Sequence, residues 1–357
     1  LTESKSIYVV GTGTIGEPLI GLFSDFRTEF GIDEVIFQKH SPKPEDVPRI
    51  QQLIAKGGRL AVESSKCAEF EKIGQKPVYT TDEAIERASV VLDCTPKGCG
   101  LENKANIYAK HASTTKGFIA QGSEFGFGKM FVHGINNEAL RENEDKYIHI
   151  VSCNTHNLSV LIDTIALSNS RENLESGRFV CMRRATDVGQ TGKGAQAPTV
   201  GGHGDQQFGT HHAKDAHHLY KTLGLNLNLF SSAIALNTQY MHTIWFDLKL
   251  KTPTTHDSLL SAINENPYIA VTDKDSTNLI FAFGRDYGYY GRILNNTVIP
   301  TDSIHVSDDG TEVRGFCFTP QDGNSLISSV AATLWYLDPA TYESKLKALD
   351  SYLFSSI

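Results

Sequence analysis

A two-domain α/β protein is predicted from three observations. Short apolar strands alternate with helical stretches through the first part of the chain. A glycine turn follows the first of those strands. Midway, the pattern changes to longer segments in which apolar and polar residues alternate. Buried strands alternating with helices make a parallel, doubly wound sheet. Longer alternating strands make a mainly antiparallel sheet with one face covered by helices. The expected division is residues 1–152 for the first domain and 153–324 for the second.

Each element has a local reason. Ile7-Tyr8-Val9-Val10 is an apolar strand, and Gly11-x-Gly13-x-x-Gly16 follows it. The helix after the turn is apolar through Leu19, Ile20, Leu22 and Phe23. Pro18 is tolerated because it falls in the first turn, where its missing N–H removes no bond. Val35-Ile36-Phe37 is a second strand and Val78-Tyr79 a third, and Thr81-Asp82-Glu83 opens a capped helix. Val90-Val91-Leu92-Asp93 runs into Cys94-Thr95-Pro96, and Gly117-Phe118-Ile119-Ala120 into Gln121-Gly122. After Cys153, strands are expected at 178–184, 231–236, 243–250, 268–271 and 311–318, with Ile244, Phe246, Leu248 and Leu250 sharing one side. Residues 188–209 are too polar and glycine-rich for core, and 325–354 read as helical.

Composition narrows the function classes. The chain has 357 residues, 40% of them hydrophobic, enough for two cores. A net charge of −8 gives no reason to expect nucleic acid or an anionic membrane as partner. No apolar run approaches the roughly 20 residues of a membrane helix. The chain enters its first strand almost at once, so no signal peptide is read. Its six cysteines form no CxxC pair, which argues against a zinc ribbon, and reduced thiols in a cytoplasmic protein are expected.

The glycine turn has the context of a dinucleotide-binding Rossmann unit, since it follows a strand and opens a helix. Gly11 permits the tight turn, Gly13 lets the backbone approach a pyrophosphate, and the helix N-terminus favours its charge. Where the second strand ends, an NAD site carries Asp or Glu for the ribose hydroxyl. Here Phe37-Gln38 leads to Lys39, His40 and Ser41, so NADP is expected over NAD, with NAD possible.

Ser152-Cys153-Asn154-Thr155 lies between an apolar strand and an apolar helix. A cysteine at a helix N-terminus has its thiolate favoured by the dipole and free N–H groups, which also suit an oxyanion. The pairing of such a thiol with a dinucleotide points to an aldehyde oxidised through a thioester. That chemistry requires a base, and His242, starting a strand in the second domain, is the best placed of the thirteen histidines. Adjacent Arg183 and Arg184 point to opposite strand faces, one suited to a substrate phosphate and the other to an ion pair. His203, His211, His212, His217 and His218 crowd together with Asp205 and Asp215. Their spacing matches no closed zinc pattern, and a phosphate-binding loop or polar helix start is expected rather than a metal site.

Taken together these residues resemble the archaeal type of phosphorylating glyceraldehyde-3-phosphate dehydrogenase, over most of the chain. Gly11-Thr12-Gly13-Thr14-Ile15-Gly16 is similar to that family's GxGTIG. Asp93-Cys94-Thr95-Pro96-Lys97-Gly98-Cys99-Gly100, with Asn103-Lys104 and Tyr108, resembles its DxTPxGxGxxNK…Y. Gln121-Gly122-Ser123-Glu124 resembles QGGE, and Val151-Ser152-Cys153-Asn154-Thr155 resembles the nucleophile motif VSCNT. Arg183-Arg184-Ala185, His211-His212-x-x-Asp215, Met241-His242 with Asp247-Leu248-Lys249, Asp275-Ser276-Thr277 and Gln321-Asp322 fit later positions. The resemblance implies a homotetramer acting on a small molecule and inorganic phosphate, with Cys153 as nucleophile and His242 as base. It implies that Asn154, Thr155, Arg183, Arg184, His211 and His212 serve substrate and phosphates. It adds Thr14, Ile15, Thr95, Pro96, Gly122, Gln321 and Asn324 to the cofactor site, and it packs the C-terminal segment 325–357 back on the first domain.

Departures cluster around the substrate. His156-Asn157 stand where the family has Thr-Gly. The family's histidine strand has two histidines and this chain one. His242 matches the catalytic one when aligned on Asp247-Leu248-Lys249. Aligned on Met241, it matches the other and Ile244 takes the base position. Lys193-Gly194-Ala195-Gln196-Ala197-Pro198-Thr199 replaces KGPINAI, and Pro320-Gln321-Asp322-Gly323-Asn324 replaces His-Gln-Glu-Ser-Asp. The expected activity is phosphorylating oxidation of glyceraldehyde 3-phosphate. Two alternatives stand beside it: reduction of another acyl phosphate or acyl-CoA to a semialdehyde, and a non-catalytic NADP-binding regulator.

Overall fold

The computed structural model describes residues 4–187, 194–320 and 322–357. The chain divides into two compact units. One comprises Leu1–Phe131, Leu140–Ile150 and Leu326–Leu349, and the other Val132–Ala139, Val151–Ser325 and Asp350–Ile357.

The first unit holds an eight-stranded sheet: β1 (Ser6–Val10), β2 (Glu34–Gln38), β3 (Arg59–Val62), β4 (Tyr79–Thr80), β5 (Val90–Asp93), β6 (Gly117–Gln121), β7 (Lys129–Phe131) and β8 (Tyr147–Ile150). The spatial order is β4-β3-β2-β1-β5-β6-β8-β7 with every pairing parallel. The order reverses between β1 and β5, and the crevice beyond the carboxyl ends of those strands is where such sheets bind ligands. Strands β1, β2 and β5 are buried along almost their whole length, which is why they read as continuous apolar runs. Tyr8, Ile36, Val91, Tyr108, Phe118 and Phe127 share one core cluster.

Two local features fix this unit. The helix Thr81–Arg87 starts where it was expected, with a capping box in which Thr80 and Glu83 bond each other's backbone. Such a cap contributes about 1 kcal/mol. The helix Leu326–Leu337 is buried on every residue and packs on β5, β6 and β8. It lies close because β6 begins with glycine: a Cβ on Gly117 would stand 2.2 Å from the Tyr336 ring, whose hydroxyl donates to the Asp145 carbonyl at 2.8 Å. The expected helix over 325–354 is interrupted. Asp338-Pro339 stops it after Leu337, since proline cannot continue the ladder.

The second unit holds β9 (Leu174–Arg183), β10 (Thr199–Val200), β11 (Leu229–Ala235), β12 (His242–Leu250), β13 (Ile269–Thr272), β14 (Thr297–Pro300), β15 (His305–Val306) and β16 (Glu312–Thr319). The order is β10-β11-β9-β12-β16-β14-β13, with β15 on β16. The sheet is mixed. Its centre, β9-β12-β16-β14, is antiparallel, while β11 on β9 and β13 on β14 are parallel. Strand β12 buries His242, Ile244, Phe246, Leu248 and Leu250 and leaves the residues between them partly or fully exposed, the alternation expected of it. The helices Cys153–Leu161 and His211–Lys221 pack on each other, the first also on β14 and β16 and the second on β11. Strands β3 and β14, four residues each, were not expected. Among the described residues no helix is long and apolar enough to cross a membrane.

Candidate active site

The first unit carries a cradle built mostly of backbone. Gly11 sits at φ +99, and a Cβ on it would stand 3.0 Å from the Cys94 carbonyl oxygen. A Cβ on Gly16 would stand 2.0 Å from the Gly11 carbonyl oxygen, so the turn closes onto its own helix only with glycine there. Gly13 differs, since a Cβ on it would meet nothing within 4 Å. That open side, at the start of the helix Gly16–Asp25, fits the approach of a pyrophosphate. At the end of β6, the buried Nε2 of Gln121 has no hydrogen-bond partner among the described residues and can serve a ligand's acceptor.

Thr95 and Pro96 are positioned by Asp93, buried at the tip of β5. The Asp93 carboxylate accepts from the Thr95 N–H (3.0 Å), the Thr95 hydroxyl, Asn103 Nδ2 (2.8 Å) and the Tyr108 hydroxyl (2.5 Å). Glu124 plays the matching part for Gly122-Ser123. It accepts from the N–H groups of Gly98 and Leu101 (3.2 Å) at the start of the helix Cys99–Asn106. Gly122 lies at φ +75, and its carbonyl is 2.6 Å from Nε2 of His149, whose pKa burial lowers to about 4. These motif residues therefore hold turns at the strand ends, where a dinucleotide would lie.

At the end of β2 the expected cations already have partners. Lys39 Nζ is 2.7 Å from Asp46, and His40 Nδ1 is 3.0 Å from Glu63, which also takes Lys66 at 3.3 Å. The carboxylate missing from Phe37-Gln38-Lys39-His40-Ser41 is thus supplied by neighbouring segments.

In the second unit, Cys153 is the first residue of the helix Cys153–Leu161. Ser152 caps it, its Oγ accepting from the Thr155 N–H. The thiol pKa is nonetheless pushed up to about 11, first by burial and next by Asp322 and Asp187. Arg184 and the Asn154 N–H act in the other direction without overcoming them. The thiolate expected from helix position alone is therefore not the resting form, because desolvation outweighs the dipole.

Asn154 and Thr155 face inward rather than toward a ligand. Asn154 accepts from the Thr319 hydroxyl at 3.1 Å, and its Nδ2 lies 3.5 Å from Nε2 of His212. Thr155 is fully buried with its hydroxyl 2.9 Å from that of Ser152. The departures at 156–157 are matched from within. Asn157 donates to the Thr319 hydroxyl at 2.8 Å and accepts from the Cys317 thiol, and His156 Nδ1 is 3.1 Å from the Ser152 carbonyl. They exchange helix–strand contacts, not substrate contacts.

His242, buried at the start of β12, accepts the Arg184 backbone N–H at Nδ1, 3.0 Å away. Burial, then the Arg184 and Arg183 guanidiniums, lower its pKa to about 3. It is a neutral ring with its proton on Nε2, a donor where a base was expected. Ile244 is fully buried, which removes it from any ligand.

The two arginines have separate roles. Arg184's side chain is 1% exposed, and it donates from Nη1 to the Tyr240 carbonyl (3.2 Å) and from Nη2 to Asp187 (2.7 Å) and Asp322 (3.3 Å). Those bonds occupy it, so phosphate binding at Arg184 is not what this geometry offers. Arg183 is exposed, and its guanidinium has no partner among the described residues. It acts electrostatically on His212 and His242.

His211 and His212 begin the helix His211–Lys221, their rings 3.9 Å apart. His211 is exposed. His212 is buried and held well below its ordinary pKa by burial, His211, Arg183 and His242, and its Nδ1 has no partner among the described residues. A helix start, an exposed guanidinium and an unpartnered imidazole nitrogen are groups that can receive an anion. The other histidines serve local structure. His203 bonds Ser232 at 2.9 Å and His217 the Leu227 carbonyl at 2.9 Å. Asp205 caps the N–H groups of Gln207 and Phe208. Among the described residues no group of three or more His, Cys, Asp or Glu side chains is arranged to hold a metal.

Asn324 donates to the Cys153 carbonyl (2.8 Å) and the Asn296 carbonyl (3.1 Å), leaving its buried Oδ1 without a partner among the described residues. Gln321 and Lys193 lie outside the described residues. Sequence reasoning gave no role to Asp187, Thr319 or Asp322. A single aspartate carries no pattern, and the one available signal was the departure of residues 320–324 from the family's motif.

No family model matches the chain. Among known proteins it is similar to glyceraldehyde-3-phosphate dehydrogenase of Saccharolobus solfataricus, with 28% identity over 271 residues, covering 73% of this chain and 75% of that one. It is 29% identical over 315 residues to the enzyme so named in Metallosphaera sedula, covering 86% and 85%. It is 26% identical over 314 residues to that of Sulfolobus acidocaldarius, covering 86% and 84%. These matches establish a distant relationship to archaeal proteins of that name. With the sheet of the first unit, they support an oxidoreductase that uses a nicotinamide dinucleotide.

Proposed function

We propose that the protein oxidises glyceraldehyde 3-phosphate through a thioester on Cys153, with NADP preferred, NAD accepted and inorganic phosphate as acyl acceptor. The observation that carries this reading is the grouping in one unit of a helix-start cysteine, a neutral imidazole, the exposed Arg183 guanidinium and the His212 Nδ1 that has no partner among the described residues. Gly11, Gly13, Thr14, Ile15 and Gly16 hold the pyrophosphate, Thr95, Pro96 and Gly122 line the strand ends, and Lys39, His40 and Ser41 meet the ribose. Gln121 offers its unpartnered amide Nε2 to the dinucleotide. When bound, the dinucleotide supplies the hydride acceptor. Cys153 bonds the aldehyde carbon, and His242 Nε2–H donates to the oxygen that gathers charge. Arg183, His211 and His212 bind phosphate. The functional form on this reading is a cytoplasmic homotetramer.

The test is NADPH formation from glyceraldehyde 3-phosphate, with and without inorganic phosphate, in the parent protein and in Cys153→Ser. The expected result is phosphate-dependent turnover that the substitution abolishes. Turnover that survives in Cys153→Ser refutes the mechanism. A second reading, reduction of another acyl phosphate or an acyl-CoA, draws on the burial of Arg184, which leaves one arginine rather than two for anions. Rates that depend on CoA and ignore phosphate favour it.

A further inference from the structure

Which of its two ring nitrogens His212 protonates decides whether it attracts an anion or repels one. The residue is 4% exposed, and burial, with His211, Arg183 and His242 nearby, keeps the ring neutral. A neutral imidazole has one donor nitrogen and one acceptor nitrogen. Nε2 faces the Asn154 amide nitrogen at 3.5 Å, and Nδ1 has no partner among the described residues. An amide NH2 can only donate, so Nε2 accepts and the proton stands on Nδ1.

The Asn154 amide is turned that way by a chain of buried groups. Its oxygen accepts from the Thr319 hydroxyl at 3.1 Å, and that hydroxyl accepts from Asn157 Nδ2 at 2.8 Å. The Asn157 oxygen accepts from the Cys317 thiol at 3.2 Å. Asn154, Asn157, Cys317 and Thr319 are each at most 1% exposed, so water does not compete for these bonds. Local geometry brings the four together. Asn154 and Asn157, three apart, share a face of the helix Cys153–Leu161. Cys317 and Thr319, two apart, share a face of β16, on which that helix packs. The far end sets the direction, because a thiol has a proton to give and is a weak acceptor. Each group then passes that direction on: thiol to amide oxygen, amide nitrogen to hydroxyl, hydroxyl to amide oxygen, amide nitrogen to imidazole. Asn157 stands where the resembled family has glycine, so this amide is the chain's own addition.

We propose that Asn154, Thr319 and Asn157 are positioning residues that hold the His212 proton on Nδ1, so that this nitrogen donates to an oxygen of a phosphate group. The phosphate rests on the proposed function, while the tautomer rests on the bonds alone. His211, its ring 3.9 Å away, stands beside the same donor, and the exposed Arg183 acts on the same ring. An Nδ1–H attracts a phosphate oxygen. With the proton on Nε2, a lone pair would face the anion instead. At 3.5 Å the bond from Asn154 is the longest of the chain, and it is the one whose direction the ring reports.

The test reads the ring nitrogens of His212 by NMR, in protein isotopically labelled in its histidine side chains, and then titrates in inorganic phosphate. The His212 signals are those lost in His212→Gln. The parent is expected to show a protonated Nδ1 and a bare Nε2 at neutral pH, with phosphate shifting the Nδ1 signal. Thr319→Val keeps the shape and removes the hydroxyl. It is expected to move the proton onto Nε2 in a large share of molecules and to weaken phosphate about tenfold, the loss of one bond to a charged group. Thr319→Ser keeps the hydroxyl and should keep the parent's tautomer and affinity. A merely structural role predicts the reverse order, since valine fills the site and serine does not. Asn154→Ala cuts the chain at its last bond and gives the same two readouts should valine disturb folding. A parent His212 with its proton on Nε2 overturns the proposal, as does a Thr319→Val protein that keeps the parent's tautomer or its phosphate affinity. Phosphate that leaves every His212 signal unmoved, in a parent with Nδ1 protonated, overturns the phosphate assignment of the proposed function and with it the ligand named here, so the two failures are distinguishable.

Discussion

The two units place their sites on different physics. In the first, the cradle is backbone: Gly11 is left-handed, Gly16 lies against the turn, and Gly13 is open to what binds. Its buried carboxylates, Asp93 and Glu124, are satisfied by N–H and O–H donors and shape the loops. In the second, the site is made of charges kept from water. Arg184 lies between Asp187 and Asp322, His242 is neutral, and the Cys153 pKa is pushed to about 11. A backbone site is altered by atoms that do not fit. A buried-charge site is altered by one proton or one charge, even with its shape unchanged.

The widest separation should come from two glycines. Gly323→Ala presses a methyl group against the Ile293 carbonyl and displaces Asp322 with Asn324. Because Asn324 holds the Cys153 carbonyl, turnover at saturating dinucleotide should fall about a hundredfold. Gly16→Ala does comparable damage in the first unit, where a Cβ would stand 2.0 Å from the Gly11 carbonyl oxygen. Overpacking of about 1–3 kcal/mol should weaken NADPH binding about ten- to a hundredfold by fluorescence titration. NADPH binding should fall far more in Gly16→Ala than in Gly323→Ala. Equal losses in both would erase the contrast between the units.

Stability against pH sharpens the same comparison. Asp163, in the second unit, has its pKa raised by burial from 3.8 to about 6, with Arg171 opposing and Glu138 assisting. A folded value above the unfolded one means its contribution is intact below about 4 and is lost as pH rises through about 6. Asp163→Asn should therefore stabilise the protein at neutral pH, on the order of 2 kcal/mol, with the gain fading in acid. His149, in the first unit, has the opposite sign. Its folded pKa of about 4 lies below the ordinary 6.5, so its contribution is present above 6.5 and lost as pH falls towards 4. His149→Gln should flatten the loss of thermal stability over that interval, read from melting temperatures. The smallest expected effect is on cofactor choice. Asp46→Asn frees Lys39 from its 2.7 Å partner and should raise the preference for NADP over NAD several-fold, by about 1 kcal/mol for a partly buried charge pair.

The same division explains what the sequence made legible. Strands β1, β2, β5 and β6 and the glycine turn were readable because period and glycine placement act locally. The alternation on β12 was readable for the same reason, and it put His242 on the buried face. Cys153 was readable as a helix start after Ser152, but its charge state was not, because that depends on Asp322, distant in sequence. Nor could adjacent Arg183 and Arg184 be told apart, since strand geometry gives opposite faces without saying which face holds carboxylates. The cations after β2 were visible, while their partners Asp46 and Glu63 came from other segments.

The measurement closest to the central claim is peptide mass spectrometry of the acylated enzyme. The protein is mixed with glyceraldehyde 3-phosphate and NADP in the absence of inorganic phosphate, quenched in acid and digested. The account predicts one phosphoglyceroyl group on the peptide carrying Cys153, formed in step with NADPH and discharged when phosphate is added. NADPH formed with Cys153 unmodified, or an acyl group carried on another cysteine, would contradict it.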